Sequence, residues 1–432
     1  MWLQLSSWAA LAALFSPLPA KATSLARDAP SDSTNSPSAA GTFAGTWYTT
    51  WHNGRVPIDN IDWKKYTSVS YAFVTTDPDH MVSLTADDIN GTIFKDLVST
   101  AHNQNTKVMM TVGGWTGSKW FSLLLAENYT RSNFINAVGA MANNYAVQGV
   151  EFDWEFPNKQ GVGCNTIDKD DAANFLLMLQ EFRQNPATSS YILSAAVSDK
   201  PFLNATGQPM EDMSEFAKVL DYVTIMNYDV WGSVDGILGP NAPLNDSCAP
   251  PQYQHGSAES AVDTWTKAGF PADKLVLGVP AYGHSAAVLP NNAYNNSELS
   301  IYPLIYNNAS QVPGDSWDGK SGTDLCGVPW DYSGVWYWTN LADESLTSSF
   351  INANGTPRDG IDYLWDDCSQ TPRAYNRSSQ VMLSYDDVRS FGQKGTFIQE
   401  KGLRGYAIWE AAGATDVLID AINSNMTGSK RP

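Results

Sequence analysis

The chain has 432 residues, enough for one large domain with an insertion or for two domains. Its 45 Asp and Glu against 26 Lys and Arg give a formal net charge of −19. That balance argues against a nucleic-acid binder, because a phosphate backbone demands clustered cations.

The stretch Trp8–Phe15 is apolar, is bounded by Pro17 and Pro19, and is followed by Ala20-Lys21-Ala22. It is expected to be a secretory signal peptide over residues 1–22, which implies a secreted, extracellular protein. The apolar run is well short of the ~18 residues a membrane span needs, so no stable membrane insertion is expected. Residues 23–41 are rich in Ser, Ala, Pro, Thr and Asp and read as a disordered linker. A catalytic domain is expected over 42–432.

Within it, β-rich apolar runs recur. Strands are expected at Phe43–Tyr48, Ser68–Val74, Lys107–Val112, Gly149–Trp154, Ile192–Val197, Tyr222–Met226, Leu275–Pro280 and Leu403–Trp409. Helical patterns fall between most of them, as at Asn133–Tyr145, Ala172–Arg183 and Ala258–Ala268, and another follows the last at Thr415–Ile422. This alternation predicts an α/β fold, a (β/α)8 TIM barrel. A doubly wound open sheet would carry a glycine-rich phosphate loop after an early strand, and the sequence has none. The rhythm breaks between Tyr282 and about Gln380, where Trp, Tyr, Asn and Gly abound. A structureless loop of that length is unexpected in a compact domain, so residues 285–380 are read as an inserted α+β subdomain after the seventh strand.

Four cysteines in an exported chain predict two disulfides, with three possible connectivities. Cys326 and Cys368 both fall in the insertion, where a bond would staple a unit with little core of its own. Cys164 and Cys248 follow the fourth and sixth strands on one barrel face. The expected pairs are therefore Cys164–Cys248 and Cys326–Cys368. Metal spacing of the CxxC kind is absent, so no metal site is expected. The sequons at Asn90, Asn128, Asn204, Asn245, Asn295, Asn308, Asn354, Asn376 and Asn425 predict surface N-glycans. The 16 tryptophans fit sugar recognition, in which flat rings meet the apolar faces of pyranoses.

The fourth strand carries the most chemistry. It reads Gly149-Val150-Glu151-Phe152-Asp153-Trp154-Glu155-Phe156-Pro157. Strand side chains alternate, so Glu151, Asp153 and Glu155 share one face while Val150, Phe152, Trp154 and Phe156 take the other. Acids two positions apart, kept from water, cannot all ionise easily, and at least one should hold its proton. A proton-holding carboxyl beside ionised neighbours suits acid-catalysed glycosidic cleavage. A solvated acidic strand face is the alternative that spacing alone leaves open.

These residues resemble the signature of glycoside hydrolase family 18, the chitinases, and most closely its secreted fungal members. The family's Asp-Gly-x-Asp-x-Asp-x-Glu is matched by Gln148 to Glu155, with Gln148 and Glu151 departing from it. Thr111-Val112-Gly113-Gly114-Trp115 resembles the third-strand motif, and Met226-Asn227-Tyr228-Asp229 the sixth. Gly278 to Gly283 resembles the seventh, with His284 where arginine is usual. Ser384-Tyr385-Asp386-Asp387 resembles the segment re-entering the barrel, and Trp409 ends the eighth strand.

The resemblance implies a secreted chitinase cutting β-1,4 bonds between N-acetylglucosamine units, endo-acting rather than exo. It implies a retaining, substrate-assisted mechanism in which the acetamide oxygen is the nucleophile. Glu155 would be general acid and base, Asp153 would orient the acetamide, and Tyr228 would donate to its oxygen. Met226, Asp229, Tyr282 and His284 would line the pocket; Trp409 would floor it. Trp51, Trp115 and Phe73 are candidate platforms for neighbouring sugars. Glu151 keeps the usual aspartate's charge on a longer arm, so a coupled pair with a shifted pH–rate profile is expected. No cofactor is implied, the partner would be chitin or its oligosaccharides, and a monomer is expected. Two alternatives share the signature: an endo-β-N-acetylglucosaminidase acting on N-glycans, and a non-catalytic chitinase-like lectin.

Overall fold

The computed structural model describes residues 43–426 apart from 233–235, 307–311, 320 and 347–348. The expected signal peptide, the linker and Asn308 lie outside the described residues. Of nine strands in the main sheet, Met81–Leu84 pairs antiparallel with the second, and the other eight are parallel. The eight are Phe43–Thr49, Ser68–Asp77, Lys107–Gly113, Gly149–Asp153, Ile192–Val197, Tyr222–Ile225, Leu275–Pro280 and Gly405–Trp409. The first pairs with both the second and the eighth, which closes the sheet into a (β/α)8 barrel.

The alternation on the fourth strand holds, and it sorts the residues by physics. Phe152 points outward among Phe134, Phe175 and Phe182 of the helices Asn128–Asn144 and Asp171–Gln184. Just past the strand, Trp154 stacks on Phe121 at 5.1 Å. Burying rings of this size stabilises each contact by about 1.5–3 kcal/mol per side chain. The acids consequently face the barrel interior. Register then sets Glu151 level with Thr111 on one side and Ser194 on the other.

The seventh strand leads into a second sheet of five antiparallel strands, ordered Val335–Tyr337, Tyr282–Ala287, Val381–Ser384, Thr371–Asn376 and Ile361–Asp366. This sheet runs from Tyr282 to Ser384, wider at both ends than the insertion read from the sequence. Short helices at Pro290–Ala293 and Trp338–Leu341 accompany it.

The disulfides correct the expectation. The bonded pairs are Cys164–Cys326 and Cys248–Cys368, with Cα atoms 5.6 and 5.8 Å apart, so Cys164–Cys248 and Cys326–Cys368 do not form. The insertion leans onto the loops after the fourth and sixth strands, and each bond ties it to one of them. Two such bonds fit an oxidising compartment. Among the sequons, Asn90, Asn128, Asn295, Asn354 and Asn425 are exposed, and Asn204, Asn245 and Asn376 are half-buried. No helix among the described residues is long and apolar enough to cross a membrane.

Candidate active site

A cleft of about 540 Å³ opens at the C-terminal ends of the barrel strands. Glu151 lies beneath it, fully buried, with Oε2 accepting from Trp47 Nε1 at 2.7 Å and Thr111 Oγ1 at 3.0 Å. Burial raises its pKa, and these donors oppose the rise. Asp153 lines the cleft. Burial, with the charge of Glu151 added, pushes its pKa up to about 8. Its Oδ1 is buried and makes no hydrogen bond among the described residues. Glu155 is raised well above the carboxylate range by burial, then by Asp153 and Asp229. Burial and these two charges all favour the protonated form of Glu155.

The backbone around these acids is held from both sides. Glu155 N donates to Ser118 Oγ at 3.0 Å, and Asn165 Nδ2 donates to the Glu155 carbonyl at 2.8 Å. Gly114 N donates to the Asp153 carbonyl at 2.8 Å. A Cβ on Gly113 would stand 2.1 Å from that carbonyl, at a φ of +115°, so only glycine permits the approach. The Gly-Gly of the third strand thus seats the fourth.

Burial and the surrounding acids keep the Tyr228 hydroxyl protonated, its pKa raised well above the usual value. Asp229 takes a left-handed φ of 55° and turns its Oδ1 toward Tyr282 Oη at 2.8 Å and His284 Nε2 at 2.7 Å. Burial lowers the His284 pKa, but the hydrogen bond and charge of Asp229 outweigh it and the net direction is up. The imidazole thus pairs with Asp229 where arginine is usual in the family, although both His284 and Tyr282 stand behind Asp229, outside the cleft lining. Met226 lies in the lining.

Trp409 stacks beside Phe73, with ring centroids 5.6 Å apart at 24°, and Trp51 stacks on Phe73 at 6.2 Å and 29°. Trp51 is 42% exposed and Trp115 51% exposed, so both present open faces to the cleft. Gln148 is separate from all of this. Its amide accepts from Val108 N and touches His102, at the opposite end of the strand.

Sequence reasoning missed Trp47, Ser118 and Asn165. Trp47 was findable, since it lies on the first predicted strand and is a large side chain with an N–H to satisfy when buried. Ser118 and Asn165 carry no signal, because loop hydrogen bonds depend on where two distant segments meet.

A model of the glycosyl hydrolases family 18 matches residues 45–414. The chain belongs to that family. It is 41% identical over 395 residues to a chitinase-like effector of Moniliophthora roreri, covering 90% of this chain and 94% of that protein. It is 29% identical to chitinase A1 of Niallia circulans, over 72% of this chain and 41% of that one. Among solved structures, a chitinase of Rhizomucor miehei superposes with a TM-score of 0.79 at 33% identity, covering 89% of this chain and 99% of that chain. Membership of family 18 joins the acid-lined cleft to a glycoside hydrolase framework.

Proposed function

We propose that the protein is a secreted, monomeric chitinase that hydrolyses β-1,4 bonds between N-acetylglucosamine units, endo-acting, by the retaining substrate-assisted route. The observation that carries this is the placing of Glu155 and Asp153 in one cleft lining, with the Glu155 pKa raised by burial and by the charges of Asp153 and Asp229, and Asp153 Oδ1 unpartnered among the described residues. Glu155 gives its proton to the glycosidic oxygen as the C1–O bond breaks. The substrate's acetamide oxygen attacks C1 and forms an oxazolinium ion, its N–H held by Asp153 and its oxygen by the Tyr228 hydroxyl. Water, deprotonated by Glu155, then opens that ring with overall retention. Trp409 floors the reacting sugar, and Trp51 and Trp115 support its neighbours.

A second reading has specific support. The Moniliophthora roreri relative is named a chitinase-like effector, and Glu151 departs from the usual aspartate. On that reading the cleft binds the oligosaccharide and does not cut it. Incubation with N-acetylglucosamine hexamer separates the two. The enzyme reading expects shorter oligomers, with cleavage reduced about 10³-fold in Glu155→Gln. Tight binding with no cleavage by the unsubstituted protein would sink it. Release of glycans from a high-mannose glycoprotein instead of hexamer cleavage would move the assignment to an endo-β-N-acetylglucosaminidase.

A further inference from the structure

His52 and Glu410 form a buried joint immediately beside two aromatic residues of the cleft. His52 Nδ1 lies 3.0 Å from Glu410 Oε1, and the two residues are 5% and 0% exposed. Glu410 Oε2 accepts from Thr49 Oγ1 and from Ala412 N, both at 3.1 Å. A carboxylate taken this far from water is costly unless its oxygens are met by donors, and here each oxygen has at least one. Removing one partner of such a group costs more than the bond itself is worth.

The position of the joint in the chain gives it a use. His52 follows Trp51 and Glu410 follows Trp409, so each half is one residue from a ring that faces the cleft. The two rings stand 6.4 Å apart. Trp51 is 42% exposed and its ring is met by Phe73 and Trp409 on the cleft side, so the backbone held through its neighbour His52 also bears on where the ring stands. The imidazole also meets the insertion: the rings of Trp317 and Tyr337 each lie 5.0 Å from it. Arg55 reinforces the same contact, its guanidinium 5.4 Å over Trp317. First-strand loop, eighth-strand end and insertion wall thus converge on one imidazole.

The geometry points to His52 as a positioning residue that holds Trp51 in register with Trp409 through Glu410 and ties both to the cleft wall. A binding constellation works best when held within about 0.5 Å of its productive geometry, so loss of this joint weakens substrate binding while the acid chemistry on the fourth strand stays intact. The inference rests on the chitinase reading, and the experiment keeps the two apart.

Binding of N-acetylglucosamine hexamer is measured by calorimetry in a Glu155→Gln background, with and without His52→Ala. The added substitution is expected to weaken binding about tenfold. In the active protein, KM should rise about tenfold with kcat within twofold, the pattern of lost uniform binding. His52→Asn, whose Nδ2 takes the place of Nδ1, should restore most of the affinity. Near-UV circular dichroism checks that each variant is folded. Unchanged affinity in His52→Ala overturns the inference, as does a fall in kcat at constant KM, or a His52→Asn variant no better than alanine. Failure of the unsubstituted and Glu155→Gln proteins to bind the hexamer at all overturns both this inference and the proposed function.

Discussion

Asp153 titrates at about 8, against an ordinary value of 3.8, because burial and the charge of Glu151 both disfavour its anion. Between those pH values the folded protein holds a proton that the unfolded chain has released. Stability therefore falls as pH rises from about 4 to about 8, and this contribution is intact only below that window. Asp153→Asn removes the penalty. We expect its Tm to exceed that of the unsubstituted protein by about 2 °C at pH 8 and to match it at pH 4, read by calorimetry. Glu151→Gln takes away the neighbouring charge yet keeps an acceptor for Trp47. Asp153 then loses its proton at lower pH, so the limb of the kcat/KM profile on soluble oligomers that follows Asp153 should move down by about one pH unit. An unmoved limb would mean that Glu151 does not tune the site.

At the scale of elements, the insertion is joined to the barrel by covalent bonds that the sequence placed elsewhere. Cys164–Cys326 and Cys248–Cys368 span 162 and 120 residues. Chain-entropy arguments give each about 4–5 kcal/mol, and removal of either should lower Tm by about 5 °C. The two differ in what they touch. Cys164 adjoins Asn165, which holds the Glu155 carbonyl, whereas Cys248 lies on the sixth-strand loop. Paired serine variants at Cys164 and Cys326 should lose kcat at least threefold on the hexamer, and those at Cys248 and Cys368 should keep it. Equal kcat in both variants would leave the first bond a purely structural role. Strand and helix positions were legible because each is written locally, in period-2 and period-3.6 patterns. The pairing was not, because it depends on how far the insertion leans, and no local pattern records that.

For the whole molecule, the closed barrel turns a line of three acids into a site with a floor, a wall and separate environments for each carboxyl. Glu151 is buried under donors, Asp153 is buried with one oxygen unpartnered among the described residues, and Glu155 lines the cleft. The excess of negative charge is spread over a protein whose proposed ligand is neutral, so affinity must come from stacking and hydrogen bonds rather than steering. The aromatic residues named from the sequence do gather: Trp51, Phe73, Trp115 and Trp409 all line one cleft, although they come from four different strands or their loops.

The sequence by itself determined the barrel, the shared face of Glu151, Asp153 and Glu155, and the aromatic set, because each follows from side-chain periodicity or from a motif contiguous in the chain. Only the tertiary structure decided which cysteines bond, that His284 stands behind Asp229, that Trp47 and Asn165 hydrogen-bond the residues of the acidic strand, and that His52 meets Glu410. Those contacts are made between segments as many as 358 residues apart, and their partners are chosen by three-dimensional proximity that no local spacing encodes.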